Sequence, residues 1–151
     1  MTDIPPLAEG FEISTDAARL DRERVHRWLS TDAYWALGRA REKQDEAIAG
    51  SLNFGVYDTA SGEQVAYARV ITDRATFAWL ADVFIDPGSQ GLGLGKGLVE
   101  AIMAHPDLQA LRRFMLVTLD AHSLYEQYGF GSPPNPERLM AILRTDLYRQ
   151  P

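Results

Sequence analysis

The sequence predicts an α/β fold with a mixed sheet. Three observations carry that expectation. Apolar residues keep helical spacing in the first third of the chain and alternate as strands do in the middle third. A hairpin turn, "TASG", joins two of the strand-like runs. Behind a glycine-rich turn the order then becomes helix, strand, helix, strand.

Element by element, "FEIST" (Phe11 to Thr15) is a short strand. "TDAARLDRERVHRWLS" is a helix capped by Thr15 or Asp16, with Leu20, Val25, Trp28 and Leu29 as its apolar stripe. "DAYWALGRAREKQDEAIAGS" reads as further helix with a charged, exposed face. "SLNFGVYD" and "EQVAYARVITD" form the hairpin, and "TFAWLADVFID" is a third strand closed by Asp86-Pro87. The next helix places Leu94, Leu98 and Ile102 at i, i+4 and i+8, and His105-Pro106 stops it. "RRFMLVTLD" reads as a buried strand and "HSLYEQYGF" as a short helix ending at Gly129. "RLMAILRTDLY", after the "GSPPNPE" loop, reads as a final strand. A length of 151 residues suits a single domain, 1–151, around one core.

Composition narrows the function classes. A net charge of −6 argues against a nucleic-acid backbone binder and favours a small, locally recognised ligand. No apolar run is long enough to cross a bilayer, and the start "MTDIPPLAEG" lacks the features of a secretory leader, so the expectation is a cytoplasmic protein without a membrane partner. With no cysteine, the protein has no thiol of its own for catalysis, and three scattered histidines offer no metal-ligand spacing.

The stretch "FIDPGSQGLGLGKGLVEAI" is the most informative. It packs five glycines between Gly88 and Gly97, although each glycine inside a helix costs up to ~1 kcal/mol relative to alanine. The dinucleotide fingerprint GxGxxG fails, because its third position falls on Lys96 or Leu98. The P-loop fails because Gln90 stands where its first glycine belongs and Gly97 follows Lys96. What remains is Gln90-x-x-Gly93-x-Gly95 between a strand and a helix. Backbone N–H groups at a helix start, with the positive end of the helix dipole, can cradle a pyrophosphate. A glycine-rich packing turn is the plainer alternative.

The strand "LADVFIDP", the turn "QGLGLGKGL" and, after another strand, "LYEQYGF" resemble the GNAT (acyl-CoA N-acyltransferase) superfamily over roughly residues 51–130. The resemblance implies a mostly antiparallel central sheet flanked by helices, and acetyl-CoA as co-substrate. It implies that Gln90, Gly91, Leu92, Gly93, Leu94, Gly95 and Lys96 hold the pyrophosphate, and that the main chain of Val83, Phe84 and Ile85 pairs with the pantetheine arm. It further implies that Tyr125 is the acid that protonates the leaving thiolate. The family often has an asparagine seven residues before that tyrosine; this chain has Thr118.

The chemistry sets its own demands. An alkylammonium of pKa ~10.4 must lose its proton before it attacks a thioester, which costs about 4.6 kcal/mol at pH 7. Asp82, alone among apolar residues from Phe77 to Ile85, is the candidate to help; alternation puts it on one face with Leu80 and Phe84. An ion pair with Arg69 of the neighbouring strand is the alternative. The segment "LADVF" also resembles the acidic strand of diamine acetyltransferases, which carry an acidic pair where this chain has Ala81-Asp82. Charge growing on the carbonyl oxygen needs a fixed donor, which a backbone N–H near Val83 to Ile85 would supply if a bulge or splay freed it.

Around this centre, Trp35, Phe54, Tyr57, Tyr67, Arg69 and Trp79 are candidates to line an acceptor pocket, and Arg112-Arg113 to reach the adenosine phosphates. Tyr128 reads as packing and His122 as solvated. The expectation is an N-acetyltransferase acting on a small-molecule primary amine (or peptide) by direct attack in a ternary complex, with a homodimer open to it. The alternative is a non-catalytic acyl-CoA-binding regulatory module on the same scaffold.

Overall fold

The computed structural model describes residues 7–148. A five-stranded sheet runs in the order β1-β2-β3-β4-β5, from Phe11–Ser14, Leu52–Asp58, Gln64–Thr72, Phe77–Ile85 and Arg113–Met115. The first three pairings are antiparallel and the last, β4 with β5, is parallel. The mixed, mostly antiparallel sheet is therefore as expected.

Helices cover both faces. On one, α3 (Leu94–Ala104) and α4 (His122–Glu126) close a core containing Phe54, Val56, Ala68, Leu80, Leu98, Ile102 and Tyr125. On the other, α1 (Arg22–Asp32) packs Val25, Trp28 and Leu29 with Ile48 of α2 (Arg41–Ala49) and with Tyr67. Strand alternation separates the two: Leu52, Phe54 and Val56 of β2 face α3, whereas Asn53 between them faces Tyr67.

Four expectations change. Asp16 caps only a short 3-10 turn, by accepting from the Ala18 N–H, and α1 starts at a second cap, Asp21, which accepts from the Arg24 N–H at 3.0 Å. The long second helix shrinks to α2, because residues 33–40 form a loop in which Gly38 takes the left-handed φ of +79°. The "buried strand" after α3 is only three residues long, and beyond it Val117 and Leu119 are 74% and 71% exposed. The expected last strand is absent: residues 139–144 adopt no helix or strand. An apolar run carries strand propensity, but a strand also needs an edge to pair with, and residues 139–144 pair with none of the five described strands.

Candidate functional site

The parallel pairing of β4 with β5 stops at Trp79 and Met115, while β4 continues to Ile85. Along that continuation β4 pairs on its β3 side, Phe84 with Tyr67 and Ile85 with Ala66, and its other edge is unpaired among the described residues. Among the described residues, the β5-side edge of Val83, Phe84 and Ile85 is thus left without a strand partner. Their side chains are fixed on alternate sides: Val83 and Ile85 pack towards α3, and Phe84 stacks on Trp28 at 5.5 Å.

A bulge sits at the head of this segment. Arg69 pairs with Ala81 and Tyr67 with Phe84, so Asp82 and Val83 together oppose the single residue Ala68. Asp82 has a φ of +54°, in the left-handed region, which is where one such bulge residue falls. The extra residue breaks the alternation expected from sequence. Leu80 stays in the α3-side core, while Asp82 and Phe84 turn to the α1 side.

Asp82 there is almost sealed, its side chain 1% exposed. Oδ1 accepts from the Trp35 indole at 2.8 Å, and Oδ2 from Arg39 Nη1 at 2.8 Å and Arg69 Nε at 2.6 Å. Burial pushes its carboxyl up, but the charges and hydrogen bonds of Arg69 and Arg39 outweigh it and hold the group below the usual carboxylate range. The ion pair with Arg69 is formed, and such a carboxylate is a poor proton acceptor. Arg39 is a member that sequence reasoning missed. Its guanidinium also donates to Gln44 Oε1 at 2.8 Å and lies 5.2 Å from the centre of the Tyr148 ring. Only the glycine before it hinted that the chain turns inward here.

Beyond β4, a 3-10 turn (Pro87–Ser89) leads into Gln90, Gly91, Leu92 and Gly93. Gly91 and Gly93 have φ of +82° and +75°, and a Cβ at either would meet no atom within 4 Å. No side chain caps α3, and its first internal bond runs from the Gly97 N–H to the Gly93 carbonyl at 3.0 Å. The N–H groups of Leu94, Gly95 and Lys96 therefore stand at an uncapped helix start beside an unobstructed glycine turn, which fits a pyrophosphate. Of the two glycines inside α3, a Cβ at Gly95 would just reach Leu124 of α4, and one at Gly97 would collide with Leu7.

Leu124 of α4 thus lies near the start of α3. Thr118, in place of the asparagine, accepts from the Ala121 N–H at 3.0 Å and so shapes the turn into α4. Tyr125 is 7% exposed, its ring edge-on to Phe130, and burial alone pushes its hydroxyl up. That hydroxyl makes no hydrogen bond to another described residue. Tyr128 differs: its hydroxyl donates to Glu100 at 2.8 Å, and burial with that bond pushes it up to about 12.

Of the other candidates, Trp35 (40% exposed) meets Tyr34 edge-on at 5.0 Å and forms a lip next to Asp82. Tyr67 is fully buried, donating to Asn53, and Tyr57 is buried beneath the Arg19 guanidinium. Phe54 is a correction: it faces the opposite side of the sheet, against His105. Arg112, Arg113 and His122 are exposed. A cavity of about 550 Å³ lies elsewhere, lined by Leu7, Phe11, Ile13, Phe54 and His105. Among the described residues no cluster of ligating side chains could hold a metal, and no helix is long and apolar enough to cross a membrane.

Residues 22–130 match the model of the acetyltransferase (GNAT) family. A protein of Xanthomonas campestris pv. campestris, assigned to the GNAT acetyltransferases, is 48% identical in sequence, with a TM-score of 0.90 over 93% of this chain and 97% of that one. A protein of Gibberella zeae classed with the acetyltransferases is 34% identical over 76% of this chain and 75% of its own length. The chloroplastic serotonin N-acetyltransferase 2 of rice is 29% identical over 91% of this chain and 70% of its own.

Proposed function

This chain belongs to the acetyltransferase (GNAT) family, and on that premise we propose that it moves acetyl from acetyl-CoA to a primary amine of a small molecule, by direct attack with both substrates bound. The observation that carries the reading is the edge of β4 left unpaired beyond the end of β5, beside the uncapped, left-handed glycine turn. Acetyl-CoA would supply an activated thioester carbonyl.

The rest falls to this chain's residues. The N–H groups of residues 93–96 hold the pyrophosphate without Cβ obstruction, and the exposed Lys96 adds charge. The free edge of Val83 to Ile85 offers backbone partners to the pantetheine amides, and an N–H released by the bulge stabilises charge on the carbonyl oxygen. The hydroxyl of Tyr125, without a hydrogen-bond partner among the described residues, gives its proton to the departing sulfur.

Asp82 acts by position. Its carboxylate pins the Trp35 indole at the lip and ties the loop of residues 33–40 to the bulge, while the amine loses its proton to water at the mouth. An acetyl-CoA-dependent screen of amines, amino acids and aminoglycosides, read by thiol release, tests the reading. Turnover of an amine is expected. CoA binding without turnover of any acceptor would point to the regulatory module instead.

A further inference from the structure

Arg39 is 6% exposed, although it belongs to the loop of residues 33–40, where Tyr34, Trp35 and Leu37 are 57%, 40% and 47% exposed. Asp82 Oδ2 and Gln44 Oε1 each accept from its Nη1 at 2.8 Å. Those bonds run in the plane of the guanidinium and leave its two faces uncovered. The Tyr148 ring covers one of them, with its centre 5.2 Å from the guanidinium carbon. The same ring lies 5.7 Å from Lys43 Nζ on α2. At such distances the negative face of an aromatic ring attracts a cation, most strongly where water is excluded.

The backbone of residue 148 is seated as closely as its ring. A Cβ at Gly38 would stand 2.6 Å from the Tyr148 carbonyl oxygen, so a side chain there would push the two apart. Gly38 also holds its left-handed turn with an N–H bond to the Ser30 carbonyl at 3.0 Å. Position 38 thus calls for glycine twice, once for the turn and once for the room that Tyr148 takes. From residue 131 to residue 147 every side chain is exposed, and Tyr148 then turns in, half-buried, against two consecutive residues of the loop. The chain returns here to the loop that carries Trp35.

We propose that Tyr148 is a positioning residue for the amine: it clamps the loop of residues 33–40, so that Arg39 reaches Asp82 and the Trp35 indole keeps its place at the lip. The proposal rests on the reading above, in which this lip meets the acceptor. Arg39 is the link. It gives one face to Tyr148 and its edge to Asp82, whose Oδ1 holds the Trp35 indole at 2.8 Å. The ring keeps water off the ion pair, and opposite charges attract more strongly where water is excluded. Without the ring, Arg39 is wetted, the loop loses its hold on both Tyr148 and Asp82, and the indole no longer has one fixed stance. The glycine turn and the edge of Val83 to Ile85 share no residue with the clamp, so the acetyl-CoA side is left as it was.

Hydrogen–deuterium exchange tests the clamp without any acceptor. The amides of Ala36, Gly38 and Arg39 donate to the carbonyls of Ala33, Ser30 and Ala36, so their exchange reports on the loop. In Tyr148→Ala these amides should exchange about tenfold faster while β2 and β3 keep their protection. Tyr148→Phe keeps the ring and should exchange as wild type does. In turnover of an amine found by the screen, Tyr148→Ala should raise the amine KM about five- to tenfold and leave kcat and the acetyl-CoA KM within about twofold. Tyr148→Phe should restore the amine KM. Unchanged loop exchange in Tyr148→Ala overturns the clamp, and faster exchange with an unaltered amine KM overturns its role in positioning. Protection lost across the whole sheet, or equal defects in both variants, would make Tyr148 a packing residue and overturn the proposal as well. If the wild type turns over no amine, the acetyl-transfer reading fails on its own, and exchange still decides whether Tyr148 holds the loop.

Discussion

Arg69 Nε donates to Asp82 Oδ2 at 2.6 Å across β3 and β4, at the point where the register slips by one residue. The bond joins two features that are separate in sequence: a lone acid in an apolar strand and a basic residue on its neighbour. Arg39 and Trp35 bring the loop of residues 33–40 to the same carboxylate. One buried anion thus ties the strand whose β5-side edge is unpaired to the loop that carries Trp35.

Asp82→Asn removes the charge and leaves Arg39 and Arg69 buried without their counter-ion. Breaking a buried pair from one side costs about 3–5 kcal/mol, and the variant should unfold at correspondingly lower denaturant. Wild-type stability in a urea titration would show that the pair carries no such weight.

The same group fixes a pH dependence. The folded Asp82 carboxyl lies below its unfolded value of ~3.9, so its contribution to stability is fully present above that value and is lost as pH falls through the lower, folded one. The stability gap between wild type and Asp82→Asn should be constant from pH 7 to about 5 and shrink below about 4. In activity, wild-type kcat/KM for an amine should rise about tenfold per pH unit towards the amine's own pKa, because no residue titrating near neutrality accepts its proton. A plateau beginning near neutral pH, lost in Asp82→Asn, would restore Asp82 as the base.

The parts that were legible in the sequence are those written locally. The hairpin announces itself by alternation and "TASG", α3 by its i, i+4, i+8 leucines and isoleucine, and α4 by the short helical stretch "HSLYEQYGF" that carries Tyr125. The parts that were not depend on distant partners. Arg39 meets Asp82 across 43 positions, and nothing in "LGRAR" separates it from the arginines that stay in solvent. The bulge reverses the face of Asp82, and one inserted residue leaves no mark in a strand pattern. Residues 139–143 carry the composition of a strand, but whether a strand forms depends on the edge available to it.

Gly93 and Gly97 should separate cleanly. At φ +75° a branched side chain is strained, and its Cβ would stand in the space the proposal gives to phosphate oxygens. Acetyl-CoA at a hundredfold excess over Kd should stabilise wild type by about 2.7 kcal/mol, and Gly93→Val should abolish the thermal shift. Gly97→Ala asks only the tip of Leu7 to swing aside and should keep it. If calorimetry finds equal CoA affinity in both variants, the glycine turn is not the phosphate site.

Tyr125 and Tyr128 are three residues apart and differ in what their hydroxyls do. Tyr128 is tied to Glu100 of α3, while the Tyr125 hydroxyl has no hydrogen-bond partner among the described residues and sits on the helix that lies near the start of α3. A thiolate of pKa ~8.5 leaves tolerably well unaided, so its acid should contribute modestly. Tyr125→Phe should lower kcat by about 10- to 100-fold, equivalent to ~1.4–2.7 kcal/mol, and leave CoA affinity nearly intact. Tyr128→Phe should keep kcat and lose only the bond to Glu100, worth about 1.5–3 kcal/mol of stability at most for a hydrogen bond to a charged group. The loss in Tyr125→Phe should also fade with an acyl donor whose leaving thiol is more acidic, since that sulfur needs less protonation. Equal kcat in the two variants, or a Tyr125→Phe defect indifferent to the leaving group, would reduce Tyr125 to the core residue that its contact with Phe130 already makes it.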